Sequence, residues 1–229
     1  MPPTVGEQRA IAEALSDVDG LLGGLDRLIA KKRDLKQAAM QQLLTGQTRL
    51  PGFHGEWEVK QLGDLAQLYQ SETIGQSLFT EDGFPVYGAN GIIGRYSRYN
   101  HSTSQITISC RGNCGTVNRT EQFSWITGNA MVINMDRNKS VNLDFMFHLL
   151  KSQDFSVLVT GSGQPQIVRG PLAEFQIRLP GDRAEQTAIA EVLTEMDLEL
   201  AALEQRREKT RALKQAMMQE LLTGKTRLI

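Results

Sequence analysis

Residues 7–50 read EQRAIAEALSDVDGLLGGLDRLIAKKRDLKQAAMQQLLTGQTRL, and residues 185–228 read EQTAIAEVLTEMDLELAALEQRREKTRALKQAMMQELLTGKTRL. When Met1–Leu50 is aligned with Leu179–Leu228 at a constant offset of 178 residues, 26 of the 50 gapless pairs are identical. A different kind of sequence lies between the two segments. The repeat therefore predicts two like elements that bracket one globular insert.

Each copy of the repeat predicts one long amphipathic helix, because its apolar residues recur at spacings of three and four. The predicted apolar stripes are Ile11, Leu15, Val18, Leu22, Leu25, Ile29 and Leu35 in the first copy, and Ile189, Leu193, Met196, Leu200, Leu203 and Leu213 in the second. The first helix is expected over Glu7–Leu44, and Gly46 and Gly224 are expected as left-handed caps. A long helix needs a partner for its stripe, so we expect the two copies to form an antiparallel coiled coil. For either helix alone, the alternative is an ordinary packed helix.

The insert, residues 51–180, predicts a mainly β domain with a few helices. Runs with alternating or apolar character, bounded by Gly and Asn, are typical of strands and turns; they lie at residues 84–87, 105–110, 130–135 and 175–179. A helix is expected over Leu143–Leu150, and a shorter one from Pro171. The predicted fold class is α+β, a mainly β domain flanked by two long antiparallel coiled-coil helices. The expected domains are residues 1–50, 51–180 and 181–229.

The composition excludes several classes of protein. A formal net charge of −1 gives no overall attraction to nucleic acid, so such a partner has to be held by a local patch. No run of about 18 apolar residues and no signal-peptide pattern occur, so we expect a cytoplasmic chain without a membrane partner. Cys110 and Cys114 are too few for a disulfide framework and weak as a zinc site, so buried or half-buried free cysteines are expected.

The sequence carries no recognisable catalytic motif. It lacks a G-x-G-x-x-G after a strand, a Walker A sequence, the Asn/Asp-Pro-Pro-Tyr/Phe motif of adenine methylation, a nucleophile elbow and a zincin pattern. The three histidines, His54, His101 and His148, are scattered along the chain. We therefore predict no catalytic residues, no metal ligands and no cofactor.

Acidic residues are unevenly distributed in the insert, with none from Gly83 to Thr120 and none from Phe155 to Ala173. Arg, Asn and Gln bond to base edges, Arg also binds phosphate, and Tyr packs on bases and sugars. The two acid-free spans therefore predict a local DNA-docking surface, the alternative being solvated loops that merely lack acids. Because Pro165 fixes a turn, the Gly-Gln-Pro-Gln loop suits a bracing role equally well. The predicted contact residues are Arg95, Tyr96, Arg98, Tyr99, Asn100, Arg111, Asn113, Arg119, Gln164, Gln166 and Arg169.

Several segments of the insert carry a resemblance to a known family. They are Trp57–Leu65 (WEVKQLGDL), Pro85–Gly94 (PVYGANGIIG), Thr107–Thr116 (TISCRGNCGT), Gly161–Ile167 (GSGQPQI) and Leu179–Ala190 (LPGDRAEQTAIA). In this order, and with a bracketing repeat that ends in Leu-Leu-Thr-Gly-x-Thr-Arg-Leu, they resemble the specificity subunit of type I restriction–modification systems.

The resemblance implies a non-catalytic subunit whose antiparallel helices hold two recognition domains apart, each reading half of a split site in double-stranded DNA. It implies methyltransferase and restriction subunits as partners, which methylate adenine and cleave DNA. This chain departs from the family pattern because it has one domain between two helices, so it resembles half of a subunit plus the central helix, either a short natural form or part of a longer protein. A homodimer would restore two domains. The alternative function is a coiled-coil interaction module, or an orphan or inhibitory subunit, that binds methyltransferase subunits without recognising a DNA sequence.

Overall fold

The computed structural model describes residues 4–161 and 163–227. Its α-helices are α1 (Val5–Leu43), α2 (Leu62–Leu65), α3 (Leu143–Lys151), α4 (Arg169–Ala173) and α5 (Arg183–Thr223). Its strands are β1 (Trp57–Gln61), β2 (Gln67–Gln70), β3 (Phe84–Gly88), β4 (Gly91–Tyr96), β5 (Ile106–Ser109), β6 (Val117–Arg119), β7 (Trp125–Ile126), β8 (Ala130–Asn134) and β9 (Gln176–Pro180). The predicted α+β class, with a long helix on either side of a β domain in the chain, is confirmed. Within the described ranges, no helix has the length and apolarity needed to cross a membrane.

The chain divides into two compact units, one of Met1–Ala39 with Leu193–Ile229 and the other of Met40–Val192. In the first unit, the described parts of α1 and α5 form an antiparallel pair. Most members of the predicted stripes are buried or half-buried here, including Ile11 and Ile29 of α1 and Leu200 of α5. Burial of these apolar residues between the helices stabilises the pair.

Ion pairs between the two helices show their direction. Asp19 pairs with Lys214 at 2.6 Å, and further along α1 Lys32 pairs with Glu199 at 2.6 Å. As the residue number rises on α1 it falls on α5, so the helices run antiparallel, as predicted. Asp26 and Arg207, 3.4 Å apart, lie between these two pairs and fit the same direction.

The prediction that Leu35 and Leu213 belong to the buried stripes is wrong. These residues, which occupy equivalent positions in the repeat, are 48% and 57% exposed. The half-buried position is taken in each case by the following residue, Lys36 or Lys214. A lysine stem covers apolar surface while its ammonium group reaches a charged partner, which is Asp197 for Lys36. A pattern built on apolar residues alone misses a lysine that faces the neighbouring helix.

The described residues of the second unit form three sheets. The largest has the order β2-β8-β5-β6, the second has the order β4-β3-β7, and β1 pairs with β9. In the largest sheet, Ile106 and Ile108 of β5 lie beside Ile133 and Met131 of β8 in antiparallel register, and all four are almost completely buried. This apolar centre explains why the two alternating runs were recognisable as strands.

The helix predicted at Leu143–Leu150 is confirmed as α3, and Asn142 caps it by accepting a hydrogen bond from Phe145 N at 3.0 Å. The short helix predicted from Pro171 is confirmed but begins two residues earlier, at Arg169. Gly46 and Gly224 have φ values of +73° and +74°, which confirms the predicted left-handed caps. The strand pattern did not predict β1, β2, β4, β6 and β7; β2, β6 and β7 have only two to four residues, and β4 is exposed or half-buried throughout.

A buried ion pair fastens the borders of the second unit. Arg49 Nη2 lies 2.5 Å from Glu185 Oε2, and the same guanidinium donates to the carbonyl oxygens of Gly55 at 2.6 Å and His54 at 3.1 Å. Its guanidinium carbon is also 5.9 Å from the ring centre of Trp57. The segment after α1, the start of the insert and the first turn of α5 are thereby joined at one side chain.

Candidate nucleic-acid interface

The turn between β5 and β6 presents polar side chains from the first acid-free span. Gly112 and Gly115 have φ values of +71° and +88°, a conformation that glycine adopts without strain. Gly115 N donates to Ser109 O at 3.0 Å, so the chain folds back directly after β5. The turn leaves the side chains of Arg111 and Asn113 exposed to solvent.

The second acid-free span forms a small loop of its own. Thr160 and Gln166 exchange two backbone hydrogen bonds of 2.9 Å each, which close the loop at its base. Gly161 has a φ of +90°, and a Cβ added there would lie 2.7 Å from Gln164 O, so only glycine fits. The side chains of Gln164 and Gln166 are exposed at this loop.

The fold brings the two acid-free spans together. Arg111 and Gln166 form an isolated antiparallel bridge, and Ile167 N donates to Cys110 O at 3.0 Å. The Cys114 thiol donates to Pro165 O at 3.3 Å. We call the exposed set Arg111, Asn113, Gln164 and Gln166 the polar ridge.

Arg169 begins α4 at the end of the second span and is exposed. Among the described residues, no carboxylate forms an ion pair with Arg111 or Arg169. Both guanidinium groups are therefore available to an anionic ligand.

Four other predicted contact residues lie on β4 or just after it. Arg95 is exposed and donates to Gly83 O at 2.7 Å, and Arg98 is also exposed. Tyr96 packs edge-on against Trp125, with ring centres 5.3 Å apart. Tyr99 is the fourth member of this group. Its ring lies 4.9 Å from that of Phe84 and 5.2 Å from that of Phe123.

Asn100 is engaged in a hydrogen-bond network within the unit. Its amide donates to Ile126 O at 3.0 Å, and its Oδ1 accepts from Ile126 N at 2.8 Å. His101 Nδ1 lies 2.6 Å from the same Oδ1, and His101 Nε2 lies 2.8 Å from Tyr69 Oη. Because the amide oxygen only accepts, Nδ1 carries the proton and Nε2 accepts from the tyrosine. Burial lowers the pKa of His101, which favours this neutral form.

Arg119 also has partners within the unit. It forms an ion pair with Asp144 of α3 and donates from Nε to Ser104 Oγ at 3.2 Å. Burial lowers the pKa of its guanidinium, which nevertheless stays charged at neutral pH. A DNA contact by Asn100 or Arg119 would require these bonds to be exchanged, whereas the polar ridge needs no such exchange.

The two cysteines have the predicted exposure, Cys110 buried and Cys114 half-buried, and both are free. Burial raises the pKa of Cys110 to about 11, so its thiol stays protonated at neutral pH and is a poor metal ligand. Within the described part of the chain, no group of three or more His, Cys, Asp or Glu residues is arranged to hold a metal ion.

Sequence reasoning missed the fastening role of Arg49 and Glu185. A signal for it exists in the repeat, since Glu7 and Arg227 occupy the equivalent positions and also form an ion pair, with Arg227 Nε 2.5 Å from Glu7 Oε1. Reasoning also missed Phe123, the one described non-glycine residue with a positive φ, +53°. A phenylalanine in the sequence does not indicate a left-handed backbone conformation.

Comparison with known proteins identifies the family of the chain. Residues 54–212 match the family described as type I restriction modification DNA specificity domain. Because the match covers well over half of the chain, the protein belongs to this family.

Two curated relatives illustrate the similarity. A putative type I specificity subunit of Mycoplasma pneumoniae is 26% identical over 174 residues, which cover 74% of this chain and 46% of the relative. The specificity subunit of a type I restriction enzyme of Methanocaldococcus jannaschii is 25% identical over 262 aligned positions, covering 99% of this chain and 61% of the relative. The chain thus spans about half the length of these relatives.

Solved structures share the fold. The S subunit of a type I restriction–modification system from M. genitalium superposes with a TM-score of 0.73 at 18% identity, over 95% of this chain and 61% of that one. A chain from a study of complex assembly and conformational transition in a type I system gives a TM-score of 0.61 at 18% identity, over 96% of this chain and 60% of that one. At this identity the likeness concerns the architecture alone.

Proposed function

We propose that this chain recognises a specific sequence in double-stranded DNA as the specificity subunit, or part of one, of a type I restriction–modification enzyme. Methyltransferase subunits would then methylate adenine, and a restriction subunit would cleave, at sites that this chain selects. The observation that carries the proposal is the meeting of the two acid-free spans at Arg111 and Gln166 in a domain of this family.

The chemistry of the polar ridge suits base and phosphate recognition. Arg bonds bidentately to guanine, and Asn and Gln bond bidentately to adenine, while Arg also neutralises phosphate. The chain as a whole carries a net charge of −1, so affinity for DNA has to come from such a local surface. Arg95, Arg98 and Arg169 add positive charge outside the ridge and are proposed as phosphate contacts.

The helix pair is proposed as the docking site for methyltransferase subunits. Leu21, Leu28 and Leu35 recur every seven residues on α1 and are 45%, 40% and 48% exposed. Leu213, the equivalent of Leu35 in the second copy, is exposed as well. The equivalent pair Leu35 and Leu213 suits two like partners, one for each copy of the repeat, whereas the counterparts of Leu21 and Leu28 are Glu199 and Arg206.

Catalysis is assigned to the partner subunits. The sequence contains no adenine-methylation motif and no nucleotide-binding loop, and the ridge consists of side chains that bind rather than exchange protons or attack bonds. We accordingly propose that this chain is not itself an enzyme and that it uses no cofactor.

A homodimer is proposed to supply the second half of a split recognition site. The Glu–Arg pair that fastens the second unit, Glu185–Arg49, recurs as Glu7–Arg227 in the helix pair. The recurrence offers a second copy of the chain a like place to fasten its own domain. A symmetric dimer would favour a palindromic split site, and light scattering of the purified chain tests for the doubled mass.

Selection from a pool of random double-stranded DNA, with the chain assembled with its methyltransferase subunits, tests the main proposal. Enrichment of one motif is expected, and the double variant Arg111→Ala/Arg169→Ala should weaken binding to it, whereas Arg178→Ala on β9 should not. Assembly with the methyltransferase subunits but no enriched motif would instead favour the alternative, an interaction module or inhibitory subunit.

A further inference from the structure

The β3–β4 hairpin carries two adjacent exposed isoleucines. Ile92 and Ile93 are 55% and 49% exposed, and they lie on β4, an edge strand of the sheet β4-β3-β7. The outer edge of β4 is bridged at Arg95 by Thr80, and the isoleucines lie beyond this bridge. Exposed apolar side chains at the edge of a sheet favour unwanted association unless a ligand or partner covers them. The exposed isoleucine pair therefore indicates a surface that binds a ligand or a partner.

A β-bulge gives the pair its exposure. Val86 pairs with Gly94 and Tyr87 pairs with Ile92, so Ile93 is the extra residue between the two pairs. A bulge redirects side chains that would otherwise alternate strictly between the faces of a sheet. Ile93 also packs against Gly88, where an added Cβ would lie 2.9 Å from Ile93 Cγ2. The side chain of Ile93 is thus positioned against the backbone of the hairpin.

The hairpin is tied to the strand that follows the polar-ridge turn. Asn118 Nδ2 on β6 lies 3.5 Å from Ala89 O at the hairpin turn, and β6 starts directly after the turn that carries Arg111 and Asn113. The whole sequence from Gly83 to Thr120, which includes both turns, lacks Asp and Glu. The isoleucines therefore belong to the same acid-free surface as the predicted DNA contacts.

We propose that Ile92 and Ile93 form an apolar reading pair that contacts the 5-methyl group of thymine in the major groove. This inference rests on the proposed function and names residues that add specificity to it. Thymine is the one base that presents a methyl group in that groove, and apolar side chains recognise it by contact. Asn90 and Arg95 flank the pair and supply polar contacts to neighbouring base edges or phosphates.

A protein partner fits this surface less well than DNA does. A stable protein interface buries about 800 Å² on each partner around an apolar centre, whereas two isoleucine side chains bordered by Gly, Asn and Arg offer only a small apolar area. A small apolar area surrounded by polar, acid-free residues is complementary to the edge of a base pair, which presents both polar atoms and a methyl group.

The test compares thymine with uracil, which lacks the methyl group. The assembled enzyme first selects its motif from random DNA, and each thymine of that motif is then replaced by deoxyuridine, one position at a time. Wild type is expected to lose affinity about fourfold at one or two positions, the value for one buried methyl group. The double variant Ile92→Ser/Ile93→Ser should bind the motif more weakly and bind the thymine and uracil forms equally.

Val59→Ser is the matched control, since Val59 is 61% exposed on β1 in a different sheet, and it should keep the uracil effect. A motif without thymine, equal wild-type affinity for both bases, or a double variant as sensitive as wild type would overturn the inference. If a folded double variant no longer binds the methyltransferase subunits but keeps its affinity for DNA, the surface binds a protein instead. If wild type enriches no motif, the proposed function fails too; an enriched motif that is insensitive to uracil removes only the reading pair.

Discussion

At Arg49 a single guanidinium joins the Glu185 carboxylate to two backbone carbonyls, those of His54 and Gly55. The Glu185 side chain is 1% exposed, so removal of the arginine would leave a buried charge without its partner. Such a loss costs far more than the loss of a surface ion pair, because the remaining carboxylate cannot regain water. The fastening of the second unit therefore depends strongly on one residue.

Arg49→Ala is expected to lower the free energy of unfolding by about 3 kcal/mol, measured by urea denaturation. Lys60→Ala removes one partner of the surface pair Lys60–Glu58, whose side chains are 42% and 53% exposed and screened by water, and should cost less than about 1 kcal/mol. Equal losses in the two variants would contradict the fastening role of Arg49.

His101 makes a second prediction at the scale of one residue. Burial lowers its pKa in the folded state below the unfolded value, so the unfolded chain binds the proton more readily. Its contribution to stability is complete above the ordinary pKa of about 6.5 and is lost as the pH falls through the folded pKa. Protonation of Nε2 would also abolish the bond that it accepts from Tyr69.

The free energy of unfolding of wild type should consequently fall between pH 7 and pH 5 by more than that of His101→Gln. Chemical denaturation at a series of pH values measures the difference, and Tyr69→Phe serves as a control that keeps the histidine. An identical pH dependence in wild type and His101→Gln would show that this histidine does not titrate with folding.

Among the structural elements, the helix pair has a partly polar contact with an internal symmetry. In the repeat, Lys36 is equivalent to Lys214 and Asp197 is equivalent to Asp19. The ion pairs Lys36–Asp197 and Lys214–Asp19 therefore join the same two repeat positions, with the lysine on α1 in one and on α5 in the other. Lysine and aspartate at these places favour the observed antiparallel register, because a shift by a few residues separates the charges.

Lys36→Asp is expected to destabilise the helix pair by about 1 kcal/mol through repulsion of Asp197, and Asp197→Lys in the same chain should restore much of the loss. Thermal unfolding of the single and double variants forms a cycle that isolates the coupling. The Lys214–Asp19 pair provides an independent second cycle. Simple addition of the two single effects would argue against a role for the pair in register.

The exposed leucines of the helices predict an effect on assembly rather than on folding. Leu35→Glu together with Leu213→Glu should leave helix content and unfolding unchanged, since both side chains face solvent. Capture of methyltransferase subunits should fall at least tenfold if these leucines form the docking site. Leu25→Glu, at a buried seam position, is the contrasting variant and should unfold the helix pair. Unaltered capture by the folded double variant would place the docking site elsewhere.

For the whole molecule, a near-neutral net charge and a basic local surface predict a moderate dependence of DNA affinity on salt. The logarithm of the binding constant should fall linearly with the logarithm of salt concentration, and each lost phosphate contact should reduce the slope by about one. Arg95→Ala/Arg98→Ala in the assembled enzyme should show this reduction together with weaker binding. Unchanged affinity and slope, with folding intact, would exclude that part of the surface.

The repeat, the helix-pair seam, the two central strands and helix α3 could all be predicted from the order of residues. Regular apolar spacing over many residues indicates a buried face whatever packs against it. A glycine directly after such a helix, as at Gly46, indicates a left-handed cap. Leu35 was misassigned because it is apolar, although it lies six residues after Ile29; Lys36, seven residues after Ile29, continues the stripe but was passed over because it is charged. The four residues of the polar ridge were predicted as DNA contacts only as part of a larger set, chosen by residue type and by the absence of acidic neighbours.

Which of those types lie side by side was decided by the tertiary structure. Residues 111 and 166 meet because backbone hydrogen bonds join loops that are far apart in the chain, and no local pattern records such pairing. Long-range contacts also engage the exposed side chains of Asn100 and Arg119 in a hydrogen bond and an ion pair, respectively, whereas Arg111 and Gln166 meet through their backbones, although all four looked alike in sequence. Local composition determined that this chain carries an acid-free surface, and distant packing decided which side chains that surface presents, because accessibility depends on every neighbour in space.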